Sequence, residues 1–116
     1  MATVKSYTDL EQSKVLAEIL PLESADMVYV HTVDLEGDEH YDIDFRNNQP
    51  LFKDDISAWS LAALLDVLPE KYTKLLIKEG GAYRILIKDL CMTSLFNNPV
   101  DACVAMIEEL YKLNLL

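Results

Sequence analysis

The sequence predicts an α+β fold of order α-ββ-α-ββ-α, with one four-stranded antiparallel sheet made of two β-hairpins and helices packed on one face. Three observations predict it. A leucine-rich stretch over residues 57–69 repeats apolar side chains at helical spacing. Two pairs of short segments rich in β-branched and aromatic residues are each separated by a glycine-bearing turn. Helices alternate with these hairpins along the chain, which leaves little reason for parallel strand pairing.

The N-terminal residues 1–7 carry no periodic signal and read as a short arm. Thr8-Asp9-Leu10-Glu11 has the form of a capping box, in which hydroxyl and carboxylate each satisfy a free amide at a helix start. The helix runs to about Leu20, with Leu10, Leu16, Ala17, Ile19 and Leu20 on its apolar side, and Pro21 ends it. Residues 21–26 form a linker with turn chemistry.

Residues 27–33 and 41–46 read as the first hairpin. Gly37 followed by Asp38 suits a two-residue type II′ turn, where the first central residue needs a positive φ. That register pairs Val30 with Phe45 and Thr32 with Ile43. Val28, Val30, Ile43 and Phe45 then face the core, while His31 opposes Asp44 and Tyr29 opposes Arg46 outside. Residues 47–55 are a loop containing Pro50.

The central helix spans residues 57–69. Leu61, Leu64, Leu65 and Leu68 line one side, Ser57 caps its start, Pro69 stops it and Trp59 sits at the rim of the buried contact. A second hairpin follows over residues 72–78 and 83–88. A three-residue Gly80-Gly81-Ala82 loop is preferred to a two-residue Gly80-Gly81 turn, because it pairs Ile77 with Ile85 and Leu75 with Ile87 and keeps charge off the inner face. Residues 89–96 connect irregularly to a last helix. Asn98 caps it, Pro99 opens it and Asp101 meets its positive end; Val100, Cys103, Val104, Ile107, Leu110 and Tyr111 form its apolar stripe. Leu113, Leu115 and Leu116 are too apolar for a solvated tail and are expected against the core or a second subunit.

A chain of 116 residues with 51% hydrophobic content suits one domain, residues 1–116, with a core that needs no metal or disulfide. Cys91 and Cys103 lack redox spacing and no leader precedes the first helix, which points to the cytoplasm. No apolar run is long enough to span a bilayer, so a membrane role is disfavoured. The net charge of −10 is lopsided: residues 1–70 hold 4 basic against 15 acidic side chains, residues 71–116 hold 6 against 5. Direct nucleic-acid binding is disfavoured by this charge, because phosphates are repelled by the molecule as a whole.

Candidate chemistry is sparse. Asp34, Glu36, Asp38 and Glu39 surround a turn, but Gly37 falls fourth from Asp34, where a calcium-binding EF-hand loop needs its glycine sixth. His31 and His40 lack metal-ligand spacing. Asp42 and Asp44 share a strand face at a separation suited to acid/base pairs, a pattern that a solvated strand also makes. Cys103 falls on a buried stripe and Cys91 has no basic neighbour beyond Lys88. No metal, cofactor or catalytic residue is expected. The second hairpin instead offers an outer face of Lys74, Leu76, Lys78, Arg84, Leu86 and Lys88, four cations around two leucines. Lysine stems can shield such leucines; otherwise the face suits contact with an acidic partner.

The segments S-A-W-S-L-A-A-L-L-D-V-L-P and N-N-P-V-D-A-C-V-A-M-I-E-E-L-Y-K-L-N-L-L resemble those of small uncharacterised proteins encoded by phages and mobile elements of gut Bacteroidetes. The resemblance runs from Tyr7 onward and includes Ser24-Ala25-Asp26-Met27. It implies a phage or bacterial origin and a cytoplasmic setting, and brings no activity with it. The leading expectation is a non-enzymatic protein-interaction module that works through the open sheet face or the apolar C-terminal edge and pairs with another protein or with itself as a homodimer. The alternative is an acidic mimic of nucleic acid that inhibits a host enzyme. A third reading, a small-molecule or enzymatic site between the sheet and residues 47–55, requires a deep pocket with convergent polar groups.

Overall fold

The computed structural model describes residues 5–46, 52 and 54–116. Helix α1 (Leu10–Ile19) leads through a single 3₁₀ turn (Leu22–Ser24) to strands β1 (Met27–Val33) and β2 (Glu39–Phe45), then to β3 (Ile56–Ala58) and helix α2 (Leu61–Val67). Strands β4 (Lys74–Glu79), β5 (Ala82–Ile87) and β6 (Cys91–Met92) precede helix α3 (Pro99–Lys112). The α+β class stands, but the strands form two antiparallel three-stranded sheets, β2-β1-β3 and β4-β5-β6, rather than one sheet of four.

The two added strands explain the difference. Ser57 and Ala58, read as the start of the central helix, instead join Ile56 in a strand that pairs Ile56, Ser57 and Ala58 with Tyr29, Val28 and Met27. Ile56 and the hydroxyl-bearing Ser57 have weak helical preference, and an open β1 edge offers their backbone groups partners. The helix therefore starts later: Ser60, not Ser57, is the cap and accepts from the Ala63 amide. Ser57 is buried, with no partner for its Oγ among the described residues. Cys91 and Met92, expected in an irregular connection, close the other sheet against Ile87 and Leu86.

Both hairpin registers also differ from the expected ones. In the first, Tyr29 pairs with Ile43 and Val30 with Asp42. Asp34 carboxylate accepts from the Glu36 and Asp38 amides, and the Gly37 amide reaches Asp34 carbonyl oxygen, so Leu35, Glu36 and Gly37 make the bend. Gly37, at φ 86°, supplies the left-handed residue that closes a three-residue loop rather than opening a type II′ turn. The slip is odd, so Met27 and Tyr29, not Val30, join Ile43 and Ala58 in a small core under Tyr7 and Leu10. His31 lies beside Tyr41, ring centroids 5.1 Å apart, instead of opposing Asp44.

In the second hairpin the two-residue Gly80-Gly81 turn is the one formed, with both glycines at positive φ, and Ile77 opposes Arg84. A turn with left-handed geometry at both central residues matches the twist of the flanking strands, and this local preference outweighs the cleaner apolar pattern of the longer loop.

The capping box forms one residue later than expected. Asp9 accepts from the Gln12 amide, and the Gln12 side chain accepts from the Asp9 amide. Thr8 is freed for the interior. The last helix follows the prediction: Asn98 caps it, and Val100, Cys103, Val104, Ile107 and Leu110 are buried, although Tyr111 is exposed. These side chains meet Leu16, Leu20, Trp59, Leu64, Leu68, Ile85 and Ile87 in the main core. Trp59 is fully buried rather than at a rim. Leu115 packs against this core as expected, whereas Leu113 and Leu116 stay exposed.

Candidate interaction surface

The register divides the six residues expected on one outer face. Lys74, Leu76 and Lys78 share a side of the β4-β5-β6 sheet with Ile85 and Ile87, the side that α3 covers; Arg84 and Leu86 point the other way, and Lys88 lies past the end of β5. The cause is the even-numbered loop, since a one-residue change in register turns every side chain of one strand over. Lys74 Nζ reaches the Leu68 carbonyl, and Lys78 sits 5.6 Å from the Tyr83 ring centroid, so both cations are drawn toward the fold.

The outer side is consequently more apolar than expected. Met92, Leu86 and Leu75 lie directly opposite one another and form a continuous row across all three strands. Ile77 extends it beside Arg84. Leu75 is 48% and Met92 52% exposed. Among the described residues, the one ion pair on this side joins Arg84 Nη2 to Glu79 at 3.1 Å, and Arg84 Nη1 lies 3.5 Å from Met92 Sδ, so the face carries little net charge in a strongly acidic chain. Alternation alone could not have found this row, because it depends on which of two turn lengths the glycines adopt.

The acidic residues of the first hairpin gather as well. Ligand atoms of Asp34, Glu36 and Asp38 come within 4.8 Å of one another. Asp34 is turned into its own loop, with His40 Nε2 3.0 Å away; hydrogen bonding to His40 and to the loop amides holds its carboxyl below the usual carboxylate range. Asp42 and Asp44 project from the same side of β2. Most of the 47–55 loop invoked for a small-molecule site lies outside the described residues.

A cleft of about 470 Å³ opens between Ile19, Pro21, Val67, Tyr111 and Leu116. It is lined mostly by hydrocarbon, and the Ser24 hydroxyl at its wall is committed to the Pro21 carbonyl and the Trp59 indole. Burial pushes the Cys103 thiol up to about 12, and burial together with Glu109 raises Cys91. Both environments disfavour the thiolate that a nucleophile requires.

Compared with known proteins, the chain matches no family model, no curated protein and no solved structure. Its own geometry must carry any functional reading.

One polar cluster explains how Lys5 is held. Lys5 Nζ lies 3.0 Å from Asp9, 3.0 Å from Asp101 and 2.7 Å from Gln12 Oε1, bridging the starts of α1 and α3. Burial alone would raise both carboxyls. Hydrogen bonds from Gln12 and Lys5 outweigh it and leave Asp9 and Asp101 below 3.8; burial would lower Lys5, but the two acids raise it above 10.5. A depressed carboxyl contributes stability above its unfolded pKa and loses it as pH falls through the folded value, so acid below about pH 3.8 should weaken this clamp. The raised Lys5 contributes below 10.5 and is lost as pH rises past its folded value. Thermal melts of Lys5→Met should show a shallower loss of midpoint than wild type on acidification from pH 5 to about pH 2, since the partner that depresses both carboxyls is gone.

Proposed function

We propose that this protein is a non-enzymatic, self-associating interaction module whose contact surface is the open side of the β4-β5-β6 sheet. The observation that carries the reading is the Met92-Leu86-Leu75 row, which runs unbroken across the sheet with its ends about half exposed. Apolar side chains in such a row gain by leaving water together. A second copy is the occupant because the near-neutral face escapes the repulsion that a charge of −10 imposes elsewhere. The setting we propose is the cytoplasm, supported by two free cysteines; no helix among the described residues is long and apolar enough to cross a membrane.

The second reading, an acidic mimic of nucleic acid directed at a host enzyme, draws on Asp42 and Asp44 sharing one side of β2. It is less well supported, because Asp34 spends its carboxylate on its own loop instead of displaying it.

Sedimentation velocity over a wide concentration range tests the main reading. The weight-average mass should rise above the 13.2 kDa of one chain, and Leu75→Asp should weaken association by about 10- to 100-fold, the effect of losing one buried leucine. Hydrogen exchange at high concentration should slow at residues 74–79. A strict monomer with unchanged exchange overturns the proposal.

A further inference from the structure

We infer that β4 of one copy takes β2 of a second copy as its next strand, so that copies join head to tail through a continuous sheet. This rests on the reading above and names the segment that meets the β4 end of that surface. β2 and β4 are the outer strands of their sheets, each with one side unpaired by any strand among the described residues. Such an edge presents a row of backbone donors and acceptors for another strand; on β2 the Phe45 amide now donates to the Asp44 carboxylate and must exchange that partner on pairing.

The two edges match in pattern and in charge. On β2, Tyr41, Ile43 and Phe45 alternate with His40, Asp42 and Asp44; on β4, Leu75 and Ile77 alternate with Lys74, Leu76 and Lys78. β2 carries three acids and no lysine or arginine, while β4 carries two lysines, resting against the Leu68 carbonyl and the Tyr83 ring, and a Glu79 held by Arg84. Phe45 is 67% exposed, an expensive position for a phenyl ring on a finished edge. Laid antiparallel with Phe45 against Leu75, the strands set Ile43 against Ile77 and Asp42 against Lys78. Asp44 then lies diagonally between Lys74 and Lys78. The row Met92-Leu86-Leu75 gains Phe45 as its fourth member.

Pairing like with like is poorer. β4 against its own copy about Leu76 opposes Lys74 to Lys78 at both ends, and about Ile77 it opposes Leu75 to Glu79. β2 against its own copy about Asp42 sets that carboxylate against itself. Like charges directly opposed destabilise a strand pair, so the contact is between different edges. Such a heterologous contact does not close on two copies, and growth continues into rings or open chains.

Two variants with exposed changes test this: Phe45→Lys blocks the β2 edge and Leu75→Lys blocks the β4 edge. Circular dichroism should show both folded as wild type. In sedimentation velocity, wild type should exceed twice 13.2 kDa with rising concentration, each variant alone should fall to a monomer, and an equal mixture should form a dimer and nothing larger. Association that survives Phe45→Lys but not Leu75→Lys overturns the head-to-tail arrangement while leaving the contact surface standing. Association that survives Leu75→Lys, or a wild-type monomer, removes the surface itself. A mixture that stays monomeric also overturns the inference.

Discussion

Trp59→Ala is expected to destabilise the protein by about 3–5 kcal/mol, the largest effect of any single substitution considered. The whole stability of a domain of this size is about 5–15 kcal/mol, so a fall of this magnitude leaves a substantial unfolded population at moderate temperature. Trp59 is fully buried at the junction of β3 and α2, in contact with the core that unites all three helices with the β4-β5-β6 sheet. Its indole Nε1 donates to Ser24 Oγ at 2.9 Å, which ties the 3₁₀ turn to the core. Truncation removes the ring's transfer energy, leaves a cavity that short rigid elements cannot close, and takes from the Ser24 hydroxyl one of its two partners. Urea denaturation followed by circular dichroism checks it. Trp59→Phe should recover most of the loss, since it restores most of the hydrocarbon and forgoes the indole hydrogen bond and the smaller part of the ring volume.

Thr8→Val should cost about 1–3 kcal/mol for each polar group it leaves unpaired. Valine keeps the volume of threonine, so the effect isolates the hydroxyl. Thr8 Oγ1 accepts from the Trp59 amide at 3.1 Å and lies 2.7 Å from Ser13 Oγ, with Thr8 and Ser13 both at zero exposure. Thr8 also pairs backbone with Trp59, donating to its carbonyl, and its own carbonyl accepts from the Tyr29 hydroxyl. The hydroxyl is the hinge of a buried network that joins the arm, α1 and β3. Adding Ser13→Ala to Thr8→Val should cost less than the two changes summed, because the second removes a group that the first stranded. Full additivity in the denaturation cycle would show that the hydroxyls act independently. Thr8→Ser should remain close to wild type.

Both predictions centre on residues whose importance the linear sequence understated. Thr8 looked like a helix cap and Trp59 like a rim residue. Each assignment used only neighbours along the chain, and the contact that decides them joins residues 51 positions apart. The same limit separates the expected contact face from the one present. An odd loop groups Lys74, Leu76 and Lys78 with Arg84 and Leu86, and the two-residue turn, with both Gly80 and Gly81 left-handed, parts them. Its apolar row lies on Leu75, Leu86 and Met92, of which only Leu86 belonged to the expected set.

What the sequence determined by itself was local and periodic: the α+β class, the last helix with its Asn98 cap and buried stripe, the end of α1 before Pro21, the existence of both hairpins, and Cys103 as a core residue. Caps, prolines and apolar spacing act over a few residues, and their energies are present before any tertiary contact forms. The tertiary structure decided the rest: two sheets rather than one, both strand registers, β3 in place of a helical turn, and the side of the second sheet left uncovered. Strand pairing joins groups distant in sequence, and its alternatives differ by one residue of register that patterning alone does not separate. The backbone groups of β1 and β5 that still lacked partners settled the matter by recruiting short segments whose own preferences were weak.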